Sequence, residues 1–263
     1  MDAQEKRTPP LKSWRALNKS RQAREEAGLY IAEGEHMAQE ALKEHRACTL
    51  VLDISAAARF AALRNEAARQ NIPVYELSAA SFASLCDAKT PQGVLALCAL
   101  AKAEKSLTAP LVVALEDVQD PGNVGTVIRT LDALGDCALL YTKGCADPYS
   151  PKALRASMGG VFRVPMIYTP SLCARLERMK DAGYRVLAGT LDGGPFFSRG
   201  SDGARVCILI GNEGAGLSME ALAAATDHVR LPMAGGAESL NAAVACAIMA
   251  YDVRCRAQGR PIA

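Results

Sequence analysis

Between residues 111 and 252, short apolar runs alternate with helical patterns, and glycine-rich polar loops follow three of the runs. LVVAL (111–115), CALLYT, YRVLAGT, VCILIG and HVRLP are too short for helices and read as strands. Between them, NVGTVIRTLDALG reads as a helix closed by Gly135, and Ser150-Pro151 opens another with Ser as cap and Pro in first position. FRVPMIY reads as extended and SLCARLERMKDAG as helical, while Ser218 caps a short helix and a long last helix runs from Ser239. Alternation of this kind predicts an α/β fold: a mostly parallel sheet with helices on both faces. Ligands in such sheets bind at the carboxyl ends of the strands. That rule selects three loops: EDVQDPGN after LVVAL, GNEGAG after VCILIG, and MAGGAE after HVRLP.

The first half repeats the alternation on a smaller scale. LYIAEG, CTLVLD, PVYEL and GVLALCAL read as strands. EHMAQEALKEH, AAARFAALRNEAARQ and SAASFASLC read as helices. The polar segment AKAEKSLTAP (101–110) reads as a linker, which divides the 263 residues into domains 1–105 and 106–263. The first domain shows no catalytic constellation.

Net charge is +2 and selects no partner, but charge is unevenly spread. Residues 6–24 hold seven Lys/Arg, no acid and the only tryptophan, Trp14. Two readings stand: a phosphate-contacting arm, or a solvated leader. Nine cysteines are scattered without CxxC spacing, several inside apolar runs. They read as small buried thiols of a reducing cytoplasm, and His36, His45 and His228 complete no metal pattern with them. No apolar leader or run of membrane-spanning length is present, so neither secretion nor a membrane partner is expected.

Glycine after a strand is usually structural, so the polar residues of the loops carry the argument. None of the three has GxGxxG or a Walker lysine, which disfavours dinucleotide and P-loop chemistry. Asn123, Arg129, Glu213, Ser239 and Asn241 suit binding and positioning; no nucleophile–base pair stands among them. Arg129 reads either as a bidentate anion clamp or as a surface arginine paired to Asp132 or another carboxylate.

EDVQDPGNVGTVIRTLDALG, ILIGNEGAGLS and LPMAGGAESLNAAVACAIMA, in that order, resemble the three motifs of the SpoU/TrmH branch of SPOUT RNA methyltransferases. DPYSPKALRASMGGVFRVP between them fits the same pattern. SRQAREEAGLYIAEGEHMAQEAL and TPQGVLAL resemble the family's ribosomal-protein-like RNA-binding domain more loosely. The resemblance implies a carboxyl-terminal domain with a deep trefoil knot that binds S-adenosylmethionine and methylates a ribose 2′-hydroxyl of RNA. It implies a homodimer through the last helix, although an intrachain helix would carry the same Ala-rich face. Arg129 matches the family's catalytic arginine, with Asn123, Glu213 and Asn241 as its motif partners. The cofactor would lie against Thr190, Leu191, Gly211, Asn212, Leu231, Pro232, Met233, Ser239 and Leu240. Departures fall on Leu131, Ala242 and Ala243, none of which carries chemistry.

The resemblance leaves Arg129 open as general base or as clamp for phosphate and developing oxyanion. It favours ribosomal over transfer RNA by analogy of the first domain. A non-catalytic RNA-binding module of the same fold, and an unrelated α/β nucleotide-binding enzyme, are the alternatives.

Overall fold

The structure, a computed structural model, describes residues 9–101, 108–200 and 202–259. Residues 6–8 of the basic segment and 102–107 of the expected linker lie outside them. Packing divides the chain into two compact units, Met1–Ala101 with Tyr149–Pro151, and Lys102–Pro148 with Lys152–Ala263.

The first unit starts with helices α1 (Leu11–Lys19) and α2 (Arg21–Ala27). They are followed by β1 (Leu29–Glu33), α3 (Glu35–Lys43), β2 (Ala47–Asp53), α4 (Ala61–Arg69), β3 (Val74–Leu77), α5 (Ala79–Ala83) and β4 (Val94–Ala99). The strands form one sheet in the order β1-β4-β2-β3, antiparallel around β4 and parallel between β2 and β3. The leader reading does not hold for residues 11–24, most of which lie in α1 and α2. Trp14 and Leu17, one helical turn apart, are buried with Ile31, Val51, Phe82, Leu85 and Leu97, and Trp14 meets Tyr75 edge-on at 5.6 Å. Arg24 is buried and donates to the Leu17 carbonyl. Burial of an indole outweighs the polarity of its neighbours, so Trp14 is core and not a surface for stacking bases. Lys12, Arg15 and Lys19 remain on the exposed side of α1.

In the second unit the order is β5 (Leu111–Leu115), α6 (Pro121–Leu134), β6 (Cys137–Tyr141), α7 (Pro151–Ser157), β7 (Met166–Tyr168), α8 (Leu172–Asp181), β8 (Arg185–Pro195), β9 (Val206–Ile210), α9 (Met219–Ala224), β10 (Asp227–Arg230) and α10 (Ala242–Ala257). The six strands lie in the order β10-β8-β9-β5-β6-β7, and every pairing among them is parallel. All residues of β5, β6 and β9 are buried, as expected of parallel strands covered on both faces. The chain runs outward from β5 to β6 and β7, then crosses to β5's other side as β8, and β9 fills the place between β8 and β5. Strand order therefore reverses between β5 and β9, where open α/β sheets bind ligands.

Two helix caps differ from expectation. The last helix begins at Ala242, with Asn241 as its cap: the Asn241 side-chain oxygen accepts the amides of Ala243 (2.9 Å) and Val244 (3.2 Å). Ser239 lies outside it. Both residue types cap well, and backbone direction decided between them. Helix α7 does begin at Pro151, but the Ser150 hydroxyl is buried without a hydrogen-bond partner among the described residues.

Five cysteines are buried, all nine are unbridged, and desolvation pushes the thiols of Cys137 to about 11 and Cys246 to about 12. The five buried thiols are inert packing groups. Among the described residues no helix is long and apolar enough to cross a membrane.

Candidate functional site

At the reversal point, Asp120 caps α6 by accepting the Gly122 amide, and Pro121 takes the first helical position. This sets Asn123 in the first turn. Its amide donates to Glu213 Oε1 at 2.8 Å, across 90 residues of sequence. Asn241, at the start of α10, donates in turn to Asn123 Oδ1 at 2.9 Å, across 118 residues. Glu213 also accepts the backbone amides of Gln119 (3.2 Å) and Asp120 (3.4 Å). One chain of side-chain hydrogen bonds thus joins the loops after β5 and β9 to the start of α10. Partial burial alone would raise the Glu213 carboxyl; the donors from Asn123, Gln119 and Asp120 outweigh it and hold it below its ordinary value. A carboxylate so held is a structural acceptor and not a base poised near neutrality.

Asn212 holds its own loop. Its amide donates to the Asp117 carbonyl at 2.8 Å, while its oxygen accepts the amides of Gly214 and Ala215, both at 2.9 Å. Gly211 is required by close approach: a Cβ there would lie 2.3 Å from the Gly216 carbonyl carbon and 2.5 Å from the Leu217 nitrogen. Gly211→Ala is therefore expected to lower stability by about 1–3 kcal/mol, because the clash is with backbone, and a thermal melt would read it.

Arg129 lies on α6, 1.7 turns beyond Asn123 by helical periodicity of about 3.6 residues per turn. It is exposed and has no hydrogen-bond or ion-pair partner among the described residues. The Asp132 reading of Arg129 does not hold, because Arg163 takes both Asp132 oxygens at 2.8 Å.

The expected cofactor residues fall on the neighbouring strand ends. β10 pairs with β8 through His228↔Ala188 and again through Val229↔Gly194, so residues 189–193 have no partner in β10. Thr190 and Leu191 lie in that irregularity. Bulges of this kind re-aim side chains next to functional sites. The Thr190 hydroxyl is buried and has no hydrogen-bond partner among the described residues. Leu191, Met233 and Leu240 are exposed apolar side chains; Pro232 and Ser239 are exposed and Leu231 half-buried. Among the described residues, no side-chain hydrogen bond ties these side chains to the Asn241–Asn123–Glu213 chain.

Sequence reasoning missed Glu116, whose carboxylate accepts both the amide (2.8 Å) and hydroxyl (2.7 Å) of Ser218. It also missed the Thr142–Asp117 contact at 2.8 Å. An acidic pair directly after a fully apolar strand was the available signal.

The fold and site define an α/β protein whose candidate ligand site is built from loops at the carboxyl ends of a parallel sheet, cross-tied by two asparagines and a glutamate. The chain belongs to the SpoU rRNA Methylase family, which matches residues 110–251; residues 8–96 match the MRM3-like substrate binding domain. It is 32% identical to the 23S rRNA (guanosine(2553)-2′-O)-methyltransferase RlmP of Bacillus subtilis over 249 residues, 93% of this chain and 95% of that one. Among solved structures, a putative RNA methyltransferase of the TrmH family from Porphyromonas gingivalis superposes with a TM-score of 0.83 at 31% identity, covering 94% of this chain and 97% of that one. The SpoU methyltransferase AviRb of Streptomyces viridochromogenes, solved in complex with AdoMet, gives 0.84 at 26% identity, over 97% of this chain and 100% of that one.

Proposed function

We propose that this chain transfers a methyl group from S-adenosylmethionine to a ribose 2′-hydroxyl of RNA, and that the RNA is ribosomal. The observation that carries the reading is the hydrogen-bonded chain Asn241–Asn123–Glu213 at the strand reversal, beside an exposed Arg129 with no partner among the described residues. The relatives above support the substrate class.

The loops suit the cofactor. Residues 231–241 contain one charged side chain, Glu238, and no lysine or arginine that would oppose a sulfonium. The Thr190 hydroxyl is a buried polar group with no hydrogen-bond partner among the described residues, and Leu191, Met233 and Leu240 offer apolar surface to an adenine ring. Thr190, Leu191, Gly211, Asn212, Leu231, Pro232, Met233, Ser239 and Leu240 would hold it. When bound, S-adenosylmethionine supplies a methyl group on a positively charged leaving centre.

The chain's own residues then have to orient one RNA oxygen and stabilise its charge. Asn123, Glu213 and Asn241 fix the loops relative to one another, which is the positional contribution to the rate. A guanidinium presents a rigid fork of donors and no acceptor, so Arg129 serves better as a clamp on a neighbouring phosphate and on charge developing at the 2′-oxygen than as the group that removes the proton. Incubating the purified protein with ribosomal RNA and methyl-labelled cofactor, then mapping 2′-O-methylated nucleotides, tests the reading. Absence of label from ribosomal RNA, with label on transfer RNA, would move it to the other substrate.

The same reading includes a trefoil knot and a homodimer. The knot is supported by the insertion of β9 between β8 and β5 and by the return of Asn241 to Asn123. The dimer is supported by Val244 (47% exposed) and Tyr251 (54%), seven residues apart on one side of α10. Tyr251→Glu is expected to shift the light-scattering mass toward one chain; an unchanged dimer would remove α10 from the interface. A cytoplasmic location goes with this reading and is supported by the unbridged cysteines.

A further inference from the structure

A second cation stands at the amino-terminal end of α6. Lys152 Nζ lies 2.8 Å from Asp120 Oδ1, with both side chains about half exposed. That same oxygen accepts the Gly122 amide at 2.6 Å, and the Asp120 backbone amide reaches Glu213. The lysine therefore sits one residue from the chain of side chains that ties the site together. Its stem is fitted to the place: a Cβ on Gly122 would lie 3.4 Å from Lys152 Cε. A cation here is an odd choice for stability. Lys152 is the second residue of α7 and faces the start of α6, and positive charge at a helix amino terminus opposes the helix dipole. Asp120 offsets that cost, yet an exposed pair of this kind is worth little and exchanges readily.

Resting on the RNA reading above, we propose that Lys152 is a phosphate-contacting residue for the RNA strand and that Asp120 holds it in the absence of RNA, occupying the place of a phosphate. RNA binding exchanges the carboxylate for a backbone phosphate. Asp120 keeps its cap on Gly122 throughout, because that bond does not need the lysine. With Arg129 on α6, this gives the RNA backbone two cations, one from α6 and one from α7.

The exchange predicts variants of opposite sign. In the full-length protein with S-adenosylmethionine present, the anisotropy of a fluorescent mixed-sequence single-stranded RNA is followed as salt is raised. Lys152→Ala is expected to weaken binding about threefold to tenfold at low salt and to lower the salt slope by roughly 0.7, the value for one single-strand phosphate contact. Lys152→Arg restores most of the affinity. Asp120→Asn keeps an oxygen for the Gly122 amide but releases the lysine, and is expected to tighten binding about twofold to fivefold. Affinity for the cofactor, read by calorimetry, stays at the wild-type value in all three.

If Lys152 only steadies the α6 cap, Lys152→Ala and Asp120→Asn lower the melting temperature together and the salt slope does not move. That result overturns the proposal, as does Asp120→Asn weakening RNA binding. A wild-type protein that binds and methylates RNA while Lys152→Ala matches it in affinity and slope defeats this proposal alone. A wild-type protein that binds no RNA defeats the RNA reading with it.

Discussion

Arg129→Ala is expected to slow methyl transfer by about 10²–10³-fold, the usual cost of removing one preorganised charge from a transition state. Fold and cofactor affinity should stay as they are. Arg129 is exposed and partnered to nothing among the described residues, so truncating it leaves no buried group unsatisfied. It also lies outside the strand-end loops proposed to hold the cofactor. A melting curve and a calorimetric titration with S-adenosylmethionine establish both controls, and single-turnover transfer to ribosomal RNA gives the rate. A variant that methylates at near wild-type rate would remove Arg129 from the mechanism in either role, base or clamp. A variant that fails to bind cofactor would instead mean that the helix, and not the guanidinium, had been damaged.

The largest effect on stability is expected at Asp252, on the inner side of α10. Asp252 is fully buried, and its Oδ2 takes both Arg199 (2.7 Å) and Arg256 (2.8 Å). Arg199 is 2% exposed, lies 3.7 Å from the Phe196 ring centre and also pairs with Asp202 at 2.6 Å. Arg185 joins Asp202 to Asp227, so the cluster balances three arginines against three aspartates. Asp252→Ala leaves one positive charge uncompensated in a buried place, which costs about 3–5 kcal/mol. Urea unfolding would read it as a lower midpoint. Replacing both partners by apolar groups, Asp252→Leu with Arg199→Met, should cost less than the two single losses added, because no charge is then stranded between them. A single Asp252→Ala within about 1 kcal/mol of wild type would mean that water already reaches the cluster.

How much of the site was legible depended on range. Asn123, Glu213 and Asn241 were named from motif order, and the structure joins them. Nothing in the sequence said that Asn241 would donate to Asn123 or that Asn123 would donate to Glu213, since those bonds cross 118 and 90 residues. Short-range reading also misplaced things. Asp132, three residues from Arg129, looked like its partner, but Arg163 reaches it from 31 residues away. Trp14 among cations read as an aromatic on a phosphate-contacting arm or in a solvated leader, and it is a core residue. Its spacing to Leu17 was the better signal, because one helical turn puts both on the face that meets the core.

Periodicity and punctuation are local, and they determined the elements: five-residue apolar runs, glycine and proline boundaries, and with them a parallel α/β sheet carrying its loops at one edge. Order of motifs, by resemblance, determined which loops to watch. Tertiary structure alone decided that Asn241 and not Ser239 caps the last helix, that residues 189–193 leave the ladder beside β10, and that Asp120 holds Lys152. Each of these depends on where a distant backbone passes. A hydrogen bond or ion pair is decided within about 3–4 Å, and sequence separation carries no information on that scale.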